Sequence, residues 1–442
     1  MTARNNLRDQ LIKSTGGTFF LKLCASALSF TVTLFLTKAL GKESYGTYVY
    51  VLAWIGVLSI PATIGFTQIV VRDIAIYYAK KEWALLRGLL SFSNKIVFLS
   101  SLTTMLVAML ACWLFVDDGV TGSIALPFYI ALISLPFIAL TQIAQATMRG
   151  FMCIVRGQLS EFIVRPIILL LLLLAAVVFY DGVTVSQALL FNLVAVVVAF
   201  LVSFKWARMV SPVEAGSGGM AFHKTAWLGA ASPMLITSGI QMINFQADII
   251  ILGFFDESSQ LGVYSVTKQI TGLITFGLMA VEISFAPTIA RLYSAGLMSK
   301  LQEIISKGSA AMLFISIPLV VLLVFFGEDV LVIFGKDFVE GKNSLLILAA
   351  GQLINVFFGP VGQIAIHTGH GKRSMYIIGL GAFLNIVLNL LLIPQWGIIG
   401  AALAATISLA SWNIILAIYI FRKTGVISGA FALIKKNKRI KS

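Results

Sequence analysis

Twelve runs of mostly apolar residues leave this 442-residue chain few folds to choose from. A helix needs roughly 20 such residues to cross a bilayer. The runs lie near 14–38, 46–70, 90–115, 124–148, 159–180, 185–207, 227–255, 262–287, 308–327, 344–367, 374–394 and 398–421. The gaps between them are short, and none is long enough for a soluble catalytic or nucleotide-binding module. Composition excludes the alternatives. Hydrophobic residues make up 59% of the chain and charged residues 11%, against about 45–50% and 25% in soluble domains. Disorder requires the opposite balance. The expected fold is an all-α polytopic membrane protein with twelve transmembrane helices. The apolar run after Lys13 is of spanning length, so it reads as a retained first helix rather than a cleaved signal.

The net charge of +14 would suggest nucleic acid in a soluble protein. Here its distribution points to topology instead, because cytoplasmic loops collect Lys and Arg. With the N-terminus inside, 24 of the 32 Lys and Arg residues fall in cytoplasmic segments. Only Lys38, Lys42, Lys336 and Lys342 fall outside, and Lys22, Lys95, Arg165 and Lys268 fall within predicted helices. Both termini are therefore expected in the cytoplasm. The basic end from Lys435 to Ser442 reads as a topology signal that touches anionic lipid. Cys24, Cys112 and Cys153 form no CxxC, and His223, His367 and His370 are scattered, so no metal site is expected. No phosphate-binding loop or catalytic triad stands out either, so neither a cofactor nor an enzyme is expected.

An internal repeat shapes the architecture. Gly46 and Tyr48 recur as Gly262 and Tyr264, and Tyr77 as Tyr293, at an offset of 216; Gly182 and Gly397 match at 215. Six helices per half is an even number, so the two repeats run parallel in the membrane. That is a transporter plan with the substrate site between the halves. The expected organisation is a six-helix bundle over 1–208, a cytoplasmic linker over 209–226, a second bundle over 227–421 and a basic tail over 422–442.

Polar residues recur at helical spacing inside several spans. The first helix carries Thr18, Lys22, Ser26, Ser29 and Thr33. The seventh carries Thr237, Gln241, Asn244 and Asp248, and the eighth Lys268, Thr271, Thr275 and Glu282. The tenth adds Gln352, Asn355, Gln363 and His367, and the fourth Gln142, Gln145 and Arg149. The Ser, Thr and Asn positions suit helix–helix glue as well as they suit a cavity. Charge inside a membrane costs about 2.5–3.5 kcal/mol on insertion scales and usually faces a bundle interior or a watery cavity. Lys22 aligns with Ser238 and Lys268 with Leu52, so the fold itself does not require charge there. Lys95 and Arg165 lie near a cytoplasmic end, where long side chains snorkel. Glu161, one turn from Arg165, is placed to pair with it. Arg291 closes the eighth helix. Prolines within spans, among them Pro166 and Pro233, suit moving helices but are common in static ones.

Three segments carry a family resemblance: LGKESYGTY (Leu40 to Tyr48), FGKDFVEGKNSLLIL (Phe334 to Leu348) and NIVLNLLLIPQWGIIGAALAAT (Asn385 to Thr406). With twelve helices in two halves, the chain resembles the bacterial polysaccharide repeat-unit flippases of the O-antigen type. These belong to the multidrug, oligosaccharidyl-lipid and polysaccharide exporter superfamily. The resemblance implies a cargo of undecaprenyl-pyrophosphate-linked oligosaccharide, carried from the cytoplasmic to the periplasmic leaflet of the bacterial inner membrane by alternating access. The cargo would serve O-antigen, lipopolysaccharide or other surface polysaccharide synthesis. It further implies that cavity cations hold the pyrophosphate. Lys22 and Lys268 are first choices for that role, with Arg165 and Arg291 second; charge-assisted hydrogen bonds to phosphate oxygens supply the reason. Ser26, Ser29, Gln241, Asn244, Thr271 and Gln363 would meet sugar hydroxyls. Asp248 and Glu282 would carry H⁺ or Na⁺, or tune the lysines. Membrane lipids and other polysaccharide-assembly proteins are the remaining expected partners. A cation-coupled multidrug exporter of the same superfamily is the alternative, although basic residues on the first and eighth helices favour anionic cargo. A peptidoglycan-precursor flippase typically has two further helices. A membrane ligase or polymerase would carry a large outside loop, and the longest here spans only about Gly327 to Asn343.

Overall fold

The structure, a computed structural model, describes residues 2–115, 122–179, 182–211, 218–255 and 258–430; the side chains of 2–16, 122–123, 258, 280–281, 283–284 and 286–287 are excepted. The basic segment Lys435–Ser442 and the side chains of Arg4, Arg8 and Lys13 lie outside this set. The described residues are helical, with no strand among them. The chain divides into two compact units, residues 1–246 and 247–442. The division falls inside one long helix.

The first unit contains α1 (Thr2–Thr63), α2 (Phe66–Lys80), α3 (Trp83–Phe115), α4 (Gly122–Ile133), α5 (Leu135–Gly150), α6 (Ile154–Leu159), α7 (Arg165–Phe179) and α8 (Val185–Val210), together with most of α9 (Lys224–Phe255). The second contains the end of α9, then α10 (Ser258–Gly272), α11 (Phe276–Ser294), α12 (Met298–Val332), α13 (Lys342–Phe358), α14 (Val361–His367) and α15 (Gly371–Thr424). Each of the twelve predicted segments has a helical counterpart. Nine stretches among the described residues are long and apolar enough to cross a membrane. Two of them hold two predicted segments each, joined at a kink: Gly17–Thr63 at Gly41 (φ 75°, ψ 175°) and Gly371–Thr424 at Gly397 (φ 51°, ψ −128°). Both backbone conformations are open to glycine and strained for any side chain. The predicted span 262–287 is assembled from α10, a 3₁₀ turn at Leu273–Thr275 and α11.

Packing follows the physics of a chain dissolved in lipid. The exposed surface is rich in large apolar groups: Phe179 is 80% exposed, Phe314 81% and Phe325 75%. Buried positions favour small and hydroxyl residues, which let helices approach closely. Ser203 Oγ donates to Ser160 Oγ between α8 and the turn before α7, and Ser316 Oγ donates to the Ile274 carbonyl at 2.7 Å. In the second unit a cluster built from Ile289, Leu301, Ile364, Leu416 and Ile420 locks α11, α12, α14 and α15 together. The repeated tyrosines are pegs of the two units, Tyr48 being 4% and Tyr264 0% exposed.

Candidate functional site

Pro166 explains the local geometry of the first intramembrane charge pair. A proline has no N–H to give the carbonyl four residues back, and the turn before it, Ser160–Val164, widens to π-helix. Such turns mark functional sites more often than chance. Within it Glu161 receives a hydrogen bond from Arg165 Nη1, as the four-residue spacing predicts. Arg165 Nη2 also donates to Asn192 Oδ1 on α8 at 3.1 Å, and Asn192 is 2% exposed. Arg165 is thus held on two sides, and its snorkelling is limited by these bonds.

The second pair lies in the other unit. Lys268 Nζ on α10 donates to both carboxylate oxygens of Asp248 on α9, at 2.8 Å each. Tyr264 Oη donates to Asp248 Oδ2 at 2.7 Å, and the Ile249 amide donates to Oδ1 at 3.0 Å. Asp248 is 3% exposed. Four hydrogen bonds from three donor groups converge on one buried carboxylate, which is what a buried charge requires. Sequence periodicity placed Asp248 and Lys268 on separate stripes; the fold brings them into one cluster. Tyr264 completes it. Its signal in the sequence was the Gly-x-Tyr repeat, which reads as architecture rather than as a partner for a charge.

The remaining candidates are distributed. Lys22 and Ser26 are half-buried on α1, Ser29 is exposed there, and Thr18 and Thr33 on the same face are buried. No carboxylate among the described residues lies within ion-pair distance of Lys22. Gln241 is exposed and Asn244 half-buried on α9, in the first unit. Thr271 is buried, its hydroxyl bonded back to the Thr267 carbonyl at 2.9 Å. Glu282 on α11 and Gln363 on α14 are half-buried. Arg291 is exposed at the end of α11 and lines a cavity with Lys300, Glu303 and Lys307. No cluster of three metal-ligating side chains occurs among the described residues.

One basic residue stands out that the cation list omitted. Arg149, at the end of α5, has a buried Nε with no hydrogen-bond partner, and the neighbouring Gln145 Nε2 and Gln158 Oε1 are equally orphaned. Orphaned buried polar atoms are rare and need a reason. Arg149 was visible as part of a polar stripe, but its isolation is a property of the packing. Sequence reasoning named Asn355 but passed over the buried asparagines of α15: Asn389 Nδ2 donates to Asn385 Oδ1 at 2.9 Å, and Asn413 Nδ2 donates to Asn355 Oδ1 at 3.2 Å.

An all-helical chain of kinked, lipid-facing helices with ion pairs inside its spans is a polytopic membrane protein of the transporter type. The polysaccharide biosynthesis protein family matches residues 11–293, well over half of the chain, and the chain belongs to that family. The MatE family matches residues 233–391. Among curated proteins, "Probable low-salt glycan biosynthesis flippase Agl15" of Haloferax volcanii is 23% identical over 93% of this chain and 83% of its own length. Among solved structures, an inward-facing multidrug resistance transporter of the MATE family aligns with TM-score 0.74 at 12% identity, covering 89% of this chain and 93% of that one. The lipid II flippase MurJ, in an inward closed conformation, aligns with TM-score 0.73 at 14% identity, covering 92% and 87%. At these identities the structural likeness concerns the fold.

Proposed function

We propose that this protein is a flippase for lipid-linked oligosaccharide, moving undecaprenyl-pyrophosphate-linked repeat units from the cytoplasmic to the periplasmic leaflet by alternating access. The repeat units would feed O-antigen or another surface polysaccharide, with the protein in a bacterial inner membrane and both termini cytoplasmic. Membership of the polysaccharide biosynthesis family and the named activity of the Haloferax relative support the class. The observation that carries the choice of an anionic cargo is the charge balance inside the spans. Both Glu161 and Asp248 are already neutralised by a basic neighbour, whereas Lys22 and Arg149 face no carboxylate among the described residues. The surplus is positive. A pyrophosphate supplies the missing acceptor oxygens, and charge-assisted bonds to it are about twice as strong as neutral ones.

In this reading Lys22 and Arg149 hold the pyrophosphate, and the half-buried amides and hydroxyls of Ser26, Asn244 and Gln363 meet the sugar. Asp248 is the coupling carboxylate. A proton or Na⁺ taken up there releases Lys268 from the pair. Glu282 remains a second candidate carrier, and Arg165 and Arg291 are secondary cations. The test is translocation of lipid-linked oligosaccharide in proteoliposomes by wild type, Lys22→Ala, Arg149→Gln and Lys268→Ala, each checked for folding. Loss of translocation in folded Lys22→Ala and Arg149→Gln supports the reading. Full translocation by both removes them from the substrate path.

A second reading, a cation-coupled multidrug exporter, is favoured by the MatE family match. Efflux of cationic dyes by wild type that moves no lipid-linked sugar would establish it.

A further inference from the structure

The segment that leads from α8 into α9 is tied down at its described end. Arg87, in the first turns of α3, donates Nε at 3.0 Å and Nη2 at 2.6 Å to the Gly219 carbonyl. The Ala221 amide donates to the Ala84 carbonyl at 3.0 Å. A Cβ built on Gly88 would lie 1.8 Å from the Ala221 carbonyl oxygen, so only glycine lets the strap approach this closely. The anchorage continues to Trp227, which is 1% exposed and donates Nε1 to Tyr77 Oη at 3.1 Å.

Beside this strap, where α3 begins and α5 and α8 end, a cavity of about 570 Å³ opens. Three cations line it: Arg87, Lys95 and Arg208. No acidic residue does among the described residues. Lys95 and Arg208 are exposed, with no ion-pair partner among the described residues, and Arg208 rests 4.2 Å above the centre of the Phe204 ring. The rest of the lining mixes apolar Leu90, Ala144, Phe204 and Ala207 with polar Ser91, Asn94 and Thr147. Like charges gathered at one cavity repel, and an anion placed among them relieves that repulsion.

We propose that this cavity binds the phosphate head group of an anionic membrane lipid, with Lys95 and Arg208 as its phosphate ligands. Basic pockets between membrane helices are suited to such head groups. A lipid fits better than soluble phosphate for two reasons on the molecule itself. The lining includes Leu90, Phe204 and Ala207, and the flanking surfaces of α3 and α8 are apolar and exposed, with Leu99 at 58%, Leu201 at 57% and Met209 at 63%. Acyl chains have a place to lie there; an inorganic ion has no use for it. Arg87 both lines the cavity and holds Gly219, so a bound head group also steadies the strap. The proposal is independent of the cargo.

The test uses the purified full-length protein in a neutral detergent. Its thermal unfolding is followed during titration with short-chain phosphatidylglycerol, short-chain phosphatidylcholine or inorganic pyrophosphate. Phosphatidylglycerol is expected to raise the melting temperature of wild type saturably, phosphatidylcholine not, and pyrophosphate no more in wild type than in Lys95→Gln/Arg208→Gln. In Lys95→Gln/Arg208→Gln the half-saturating phosphatidylglycerol concentration rises about tenfold or more, as loss of two charge-assisted contacts implies. In Lys95→Arg/Arg208→Lys it stays near wild type. Equal stabilisation by phosphatidylcholine overturns the proposal, because the effect is then that of acyl chains. Equal stabilisation by pyrophosphate that disappears in Lys95→Gln/Arg208→Gln overturns the lipid assignment in favour of a soluble phosphate site. An unchanged half-saturating concentration in the double glutamine variant removes these side chains as ligands. Should that variant fold poorly, the two lipid titrations of wild type and the charge-preserving variant still decide.

Discussion

Removing Lys268 alone should damage the fold more than removing Lys268 and Asp248 together. Asp248 has 4% of its side chain exposed and Lys268 24%, with both carboxylate oxygens engaged at 2.8 Å. Breaking a buried pair by deleting one partner leaves an uncompensated charge, at a cost of about 3–5 kcal/mol. Because the lysine is partly exposed, the lower end, about 3 kcal/mol, is the expected loss for Lys268→Met. Asp248→Asn keeps one acceptor oxygen where Tyr264 and the Ile249 amide each use a separate one, so one of these bonds must reverse or be lost; it also strands the ammonium, and a loss of about 2–3 kcal/mol is expected. The double variant replaces the pair with neutral groups of similar volume, a change that is often close to neutral. Its loss should be about 1 kcal/mol. The cycle should therefore be non-additive by about 4–5 kcal/mol, above the roughly 0.5–3 kcal/mol usual for residues in contact. The assay is reversible unfolding in mixed micelles of the four proteins at one pH and lipid composition. Single-variant losses that add in the double variant to within about 0.5 kcal/mol would refute the claim that these groups stabilise each other.

Further expectations follow from the same geometry. Gly397→Ala forces a side chain into a glycine-only conformation and should cost about 1–3 kcal/mol, read as a lower unfolding midpoint; Gly400→Ala would not test this, since its Cβ meets the Leu392 carbonyl at 2.3 Å instead. Gly88→Ala should dislodge the strap, seen as faster limited proteolysis between α8 and α9, while Gly182→Ala, with open space around its Cβ, should not. Tyr264→Phe deletes one of the four hydrogen bonds to Asp248 and should destabilise by about 1–3 kcal/mol, measured by the same unfolding assay. Arg149→Gln should leave stability within about 1 kcal/mol of wild type, because its buried Nε bonds to nothing in the folded chain, yet it should abolish sugar-lipid translocation in proteoliposomes.

Much of the architecture was legible in the residues because a bilayer imposes length and polarity on every span. The runs near 185–207 and 308–327 fall inside single helices, α8 and α12, since nothing but a helix satisfies backbone groups in lipid. The repeat register at Tyr48 and Tyr264 marked two buried pegs for the same reason: both hold the start of a second helix. The pairing of Glu161 with Arg165 was legible as well, because partners four residues apart on one helix meet wherever that helix goes.

What periodicity alone leaves open is how one helix is turned against another. Lys268 and Asp248 each looked like a candidate for cargo or ion, and only the rotation of α9 against α10 makes them partners, with Tyr264 between them. Lys95 read as a snorkelling helix residue and Arg208 as a loop charge, 113 positions apart; only the convergence of α3 and α8 puts both in one cavity. Arg149 looked like one polar residue among several until packing left its Nε without a bond. Hydropathy and spacing belong to a single segment and survive any arrangement of its neighbours. Pairing, burial and charge surplus are sums over neighbours from distant segments, and so they exist only once the helices have packed.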